Sequence, residues 1–120
     1  MLIAFWILNG LLALVFLGAG MMKLARPRAA LAGSGMGYVE DFTDPQVKLI
    51  GVAEVLGAAG LILPFLLGIA PVLTPIAAVA LAITMIVATA VHLRRKESPV
   101  PTLVLAALAI ASAILGFVVL

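Results

Sequence analysis

Three side chains able to hold or exchange a proton interrupt long apolar runs of this sequence: Lys23, Glu54 and His92. Glu54 is the most isolated. It lies in "KLIGVAEVLGAAGLILP", residues 48–64, where glycine and aliphatic residues follow Lys48 with no other charge. In apolar surroundings a carboxylate stays ionised only with a cation or hydrogen-bond donors beside it. Lys23 closes one apolar run and His92 another, so each is a candidate partner that could reach Glu54 from a different helix. The chemistry open to such a group is proton exchange, or hydrogen bonding to a polar headgroup or to a carbonyl oxygen.

The elements that must position these residues follow from composition. Of 120 residues 66% are hydrophobic and 10% charged, and the mean hydropathy is +1.38. Soluble domains carry about 25% charged residues. Four apolar stretches, about 1–22, 45–67, 75–93 and 99–120, each approach the roughly 20 residues that cross a bilayer as a helix. The expected fold is all-α: one integral membrane domain, residues 1–120, built as a four-transmembrane-helix bundle. Asp44-Pro45, Thr74-Pro75 and Ser98-Pro99 each set a capping side chain before a proline that presets a first helical turn. Pro64 is expected to kink or end the second span, and Gly68 to Pro71 to form a turn.

Basic residues predict orientation. Lys23, Arg26 and Arg28 follow the first span, and Arg94, Arg95 and Lys96 follow the third. The other connection and the termini have no lysine or arginine. The positive-inside bias then places Arg28 to Asp44 and Arg94 to Ser98 in the cytoplasm, with both termini extracytoplasmic in a multi-pass protein of the cell membrane. The first span lacks a basic start and is read as a retained helix rather than a cleaved signal. Membrane topology and anionic headgroups account for the basic balance, so no nucleic-acid partner is expected.

Helix geometry refines the site. With Glu54 at zero on a helical wheel, Gly51 and Ala58 lie at about +60° and +40°, and Gly57, Ala53 and Gly60 at about −60°, −100° and −120°. Val52, Leu56 and Leu63 fall opposite, toward lipid. The small residues Gly20, Gly51, Gly57, Ala58 and Gly60 are therefore expected to pack helices closely around a carboxylate that points inward. Glu54 lies roughly 13 Å below the basic end of its span, from nine residues at 1.5 Å each. On the first span Asn9, Ala13, Phe16, Gly20 and Lys23 share one face, which adds Asn9 to the predicted polar pocket of Lys23, Glu54 and His92. Against this stands a plainer reading, with Glu54 as an interhelical clamp, Lys23 as an interfacial lysine and His92 as a headgroup contact. Met21, Met22, Met36 and Met85 are read as packing and Trp6 as an interfacial anchor.

Absences exclude other chemistry. With no cysteine and one histidine, the chain itself supplies no thiolate nucleophile, iron-sulfur cluster or bis-histidine haem site. No metal site and no autonomous catalytic constellation is expected.

"FLGAGMMKL", "IGVAEVLGAAGLILP" and "ATAVHLRR" resemble the recurrent pattern of the DoxX-like family of small four-helix membrane proteins over nearly the whole chain. The pattern's polar positions fall on Lys23, on Glu54 with Gly57, and on His92, although two methionines separate Gly20 from Lys23. Relatives of this kind are linked to quinone-coupled thiosulfate oxidation or to oxidative-stress complexes, and others resemble membrane chaperones of receptor assembly. The resemblance thus implies an accessory subunit of a membrane redox system, with a quinone or other lipophilic ligand as its cofactor. Its partners would be other membrane proteins or a second copy of itself. The alternative it implies is a non-enzymatic scaffold or assembly chaperone. A small proton-coupled transporter is a third reading, opposed by the position of the acid in the second span and by the six-to-zero basic asymmetry.

Overall fold

The computed structural model describes residues 1–33 and 36–120; Ser34 and Gly35, in the predicted cytoplasmic connection, lie outside the described residues. Its elements are α1 (Leu2–Ala25), α2 (Arg28–Gly33), a 3-10 helix (Gly37–Asp41), α3 (Asp44–Leu67), α4 (Leu73–Arg94) and α5 (Val100–Val119). The four long helices are each long and apolar enough to span a membrane. They pack in chain order around a ring, α1 on α3, α3 on α4, α4 on α5, and α5 back on α1. The bundle measures 41 × 25 × 17 Å. Its long apolar side chains Leu49, Leu56, Ile83, Ile86 and Ile114 are exposed, as expected where lipid is the solvent.

The helix ends differ from the expected proline caps. At α3 the N-cap is Thr43, whose hydroxyl accepts from the Gln46 amide at 3.3 Å while the Thr43 amide donates to Gln46 Oε1 at 2.9 Å. This reciprocal capping box satisfies two backbone groups that Asp44 alone could not. Thr74 lies inside the first turn of α4, because its hydroxyl accepts from the Phe65 amide at 3.2 Å across the α3–α4 turn. Only Ser98 acts near its expected place, accepting from the Val100 amide at 3.4 Å.

Pro64 is accommodated within α3, which continues to Leu67 and ends at Gly68 in the left-handed conformation, φ 67°. A proline removes one amide donor and crowds the carbonyl a turn earlier. Around it, side chains from neighbouring helices serve the backbone: Asn9 Nδ2 donates to Leu61 O at 2.8 Å, and Thr74 takes the Phe65 amide. Ser112 Oγ donates to Asn9 Oδ1 at 2.5 Å. One buried carboxamide therefore joins α1, α3 and α5.

Helix α1 ends three residues beyond the expected boundary, and Lys48 accounts for it. Its ammonium donates to the carbonyls of Lys23 at 2.7 Å, Leu24 at 3.2 Å and Arg26 at 2.7 Å. These groups have no intrahelical partner, and a cation there also opposes the negative end of the helix dipole. The extension keeps Lys23 inside α1.

Candidate functional site

The inward face of α1 carries Phe5, Asn9, Leu12, Phe16, Gly20 and Lys23, all buried. That of α3 carries Val47, Gly51, Glu54, Ala58 and Leu61. Where these faces cross, Gly20 and Gly51 bring the two backbones together. A Cβ at Gly20 would stand 2.7 Å from Gly51 O, and one at Gly51 would stand 3.0 Å from Gly20 O. Across this crossing the Lys23 stem lies against Gly51, and Lys23 Nζ meets Glu54 Oε1 at 2.6 Å, each side chain 3% exposed. The glycine crossing sets the helix separation that lets these two side chains pair.

On the other flank of Glu54 the small residues meet α4. A Cβ at Gly57 would press on Leu81, and one at Gly60 on Ala77 Cβ at 2.7 Å. Ala58 lies in the central core with Leu12, Phe16, Leu61 and Leu81. The space about Gly51 and Gly57 is thus occupied by neighbouring helices, with no room there for a ligand tail.

His92 does not touch the acid. Its Nδ1 faces Glu97 Oε1 at 3.1 Å, and its ring meets the edge of Tyr38 with centroids 5.3 Å apart. The same Tyr38 ring lies 5.6 Å from the Lys23 ammonium. Lys23, Tyr38 and His92 form a row, so His92 joins the site through a residue that the sequence reading passed over. Tyr38 is the single tyrosine, and that rarity in the first connection was the one available signal.

Asn9 stands apart. It shares the face of Lys23, but 14 residues along α1 correspond to roughly 21 Å, and its hydrogen bonds go to Leu61 and Ser112. Helical angle alone had grouped it with the pocket. Trp6 packs edge-on to Phe5 and Phe65, centroids 5.4 and 5.5 Å away, so it belongs to an aromatic cluster. Met21 is exposed, whereas Met85 is buried in the core.

Above the pair, ionic contacts tie the 3-10 helix to the end of α4. Arg95 bonds Asp41 Oδ1 at 2.7 Å, Glu40 Oε1 at 3.1 Å and Glu97 Oε1 at 3.3 Å, while Arg94 reaches Asp41 Oδ2 at 3.3 Å. Hydrogen bonding from Arg95, with Arg94 beside it, holds the Asp41 carboxyl below its ordinary range, and the same Asp41 bond raises Arg95. A depressed carboxylate contributes its stabilisation above the unfolded value and loses it as pH falls through the folded one. The Asp41 contact is therefore intact at neutral pH and released only in acid.

A separate apolar groove of about 530 Å³ runs between α1 and α3, lined by Gly10, Ala13, Leu17, Val55, Ala58 and Ile62 among others. Val55, one residue from Glu54, marks its end nearest the ion pair.

Four membrane-spanning helices enclosing a buried ion pair define a small multi-pass membrane protein. Residues 7–115 match the DoxX-like family, and the chain belongs to that family. No curated protein and no solved structure gave a match.

Proposed function

We propose that this protein is a non-catalytic accessory subunit of a redox assembly in the cell membrane, retaining a quinone-type lipophilic molecule. The observation that carries this reading is the buried Lys23–Glu54 pair beside Tyr38 and His92, one residue from the wall of an apolar groove. A quinone needs apolar surface for its tail and donors for its carbonyl oxygens. The α1–α3 groove offers the first. For the second, an ammonium has three donor hydrogens, of which Glu54 accepts one, and the phenol and imidazole add others.

The test is the ligand content of protein purified in mild detergent, measured by mass spectrometry of the solvent extract. A quinone is expected in the wild-type extract, and Glu54→Gln and His92→Ala should each lower it without dissociating co-purifying proteins. The groove also supports a second reading. Gly10, Ala13 and Ala59 line it, with open space where a Cβ of Gly10 would stand, and small residues on an open face suit a partner helix. Unchanged ligand content with loss of partner proteins would make the scaffold the leading reading.

The proposed orientation puts the 3-10 helix and the α4–α5 connection in the cytoplasm, on the basic asymmetry alone. A single cysteine at Lys96 in this cysteine-free chain should resist an impermeant thiol reagent in intact cells and react after permeabilisation. Labelling in intact cells would reverse the orientation.

A further inference from the structure

We propose that the 3-10 helix Gly37–Asp41 is a cover over the Lys23–Glu54 pair, closed by an ionic latch whose centre is Arg95. The inference concerns the regulation of the same site. It rests on the functional reading only for the identity of what enters, since the cover is defined by geometry.

The inner face of the cover is aromatic and apolar. Tyr38 lies against both Lys23 and His92, and Val39 is buried with Leu31 and Val47. Its outer face is acidic, and Glu40 and Asp41 are both held by Arg95. Glu97 accepts from the same guanidinium and also faces His92, which fixes the direction from which Arg95 approaches. The fit is close at Gly37, where a Cβ would stand 3.3 Å from Glu97 Oε2 and 3.5 Å from Arg95 Nη2.

The attachment of the cover is weak in kind. Its own turns are closed by Val39 to Met36 and Phe42 to Val39, and its N-cap Met36 is tied back to α2, the Met36 amide donating to Leu31 O at 3.1 Å. None of these reaches a membrane-spanning helix. The following residue is anchored, with Phe42 O accepting from Arg28 at 2.7 Å just before the Thr43 capping box. The five-residue helix is thus tethered at both ends, at Met36 and at Phe42 with Thr43, and opens by lifting between these two points. Holding it down are the apolar cluster of Val39 with Leu31 and Val47, on which Met36, Tyr38 and Phe42 also pack, and ion pairs that are partly exposed and therefore screened by salt. Elements with few buried contacts and local backbone bonds open well below the global unfolding free energy. Beneath lies the pair with 3% exposure, so lifting Tyr38 admits water or a polar headgroup to Lys23 from the charged end of the bundle.

The cysteine-free chain makes the opening measurable. Val39→Cys places a thiol under the cover, and Thr102→Cys places one between α4 and α5, where Thr102 bonds Thr89 at 2.9 Å. Both are reacted with a water-soluble maleimide on the purified full chain, with Arg95 intact or replaced in Arg95→Gln. The two partly exposed ion pairs that join Arg95 to the cover are lost together, so the Val39→Cys thiol should react up to about tenfold faster in the Arg95→Gln background. Salt at about 1 M should accelerate it in the parent by screening the same contacts. The Thr102→Cys thiol should keep its rate in every condition. An unchanged rate at Val39→Cys overturns the proposal, as does equal acceleration at both thiols, which would make Arg95 a support of the whole bundle. No quinone enters this assay, so its failure leaves the ligand reading standing, and loss of the ligand reading leaves the cover standing.

Discussion

Replacing Lys23 by methionine is expected to destabilise the folded bundle by about 3–5 kcal/mol, the cost of leaving a buried charge without its partner. Glu54 and Lys23 are each 3% exposed and meet at 2.6 Å, so neither finds water when the other is removed. Combining Lys23→Met with Glu54→Leu should restore most of the loss, because two apolar side chains can fill the site with no charge to desolvate. Glu54→Gln should cost less than Glu54→Leu in the single-variant series, since an amide still accepts from the ammonium. Equilibrium unfolding in mixed micelles provides the four corners of the cycle. A double variant as unstable as the sum of the singles would show that the two groups do not act as a pair. The pair would then be ruled out as the determinant of local geometry.

The second large effect concerns the glycine crossing. Gly20→Ala should cost roughly 1–3 kcal/mol by overpacking, despite a gain of about 1 kcal/mol in helix propensity. The added methyl meets backbone, Gly51 O at 2.7 Å, as well as Val55 Cγ2 at 2.8 Å, and backbone cannot rotate aside. The α1 and α3 helices must separate, which also lengthens the Lys23–Glu54 contact that spans the crossing. Gly18→Ala is the control. Nothing lies within 4 Å of where its Cβ would stand, so that variant should be neutral or gain up to about 1 kcal/mol. Thermal unfolding of the two variants decides the matter, and equal behaviour would refute the close crossing.

How much of this was legible in the sequence depends on the kind of signal. The four-helix fold could be read because a bilayer demands long uncharged runs, and Glu54 stood out because it broke one. The inward turn of Glu54 followed from small residues on its own arc, since packing periodicity is a local property of one helix. Height along the bundle is not contained in such a wheel, which is why Asn9 was grouped with Lys23 although its partners are Leu61 and Ser112. The role of Tyr38 depends on how the first connection folds back over the bundle. That segment has no long apolar period, and among its partners is Arg95, more than fifty residues away. Thr43 and Gln46 did carry a readable sign, a threonine three residues before a glutamine, which the neighbouring Asp44-Pro45 had overshadowed. Lys48 looked like an unremarkable start of the second span, and only the packed α1 terminus gives it three acceptors.

The hydrogen bonds around Pro64 differ in kind from the contacts at the other end of the molecule. Near it, α3 is tied to α1, α4 and α5 through Asn9, Thr74 and Ser112, neutral groups whose bonds do not depend on proton or salt concentration. At the opposite end the contacts are charges: Arg94 and Arg95 with Glu40, Asp41 and Glu97. The protein is therefore polarised across the bilayer. One end is cross-braced by neutral hydrogen bonds, and the other is held by partly exposed ion pairs that salt screens. Salt added on the ionic side alone is expected to weaken these ion pairs, and the same salt on the other side to leave the neutral hydrogen bonds as they are.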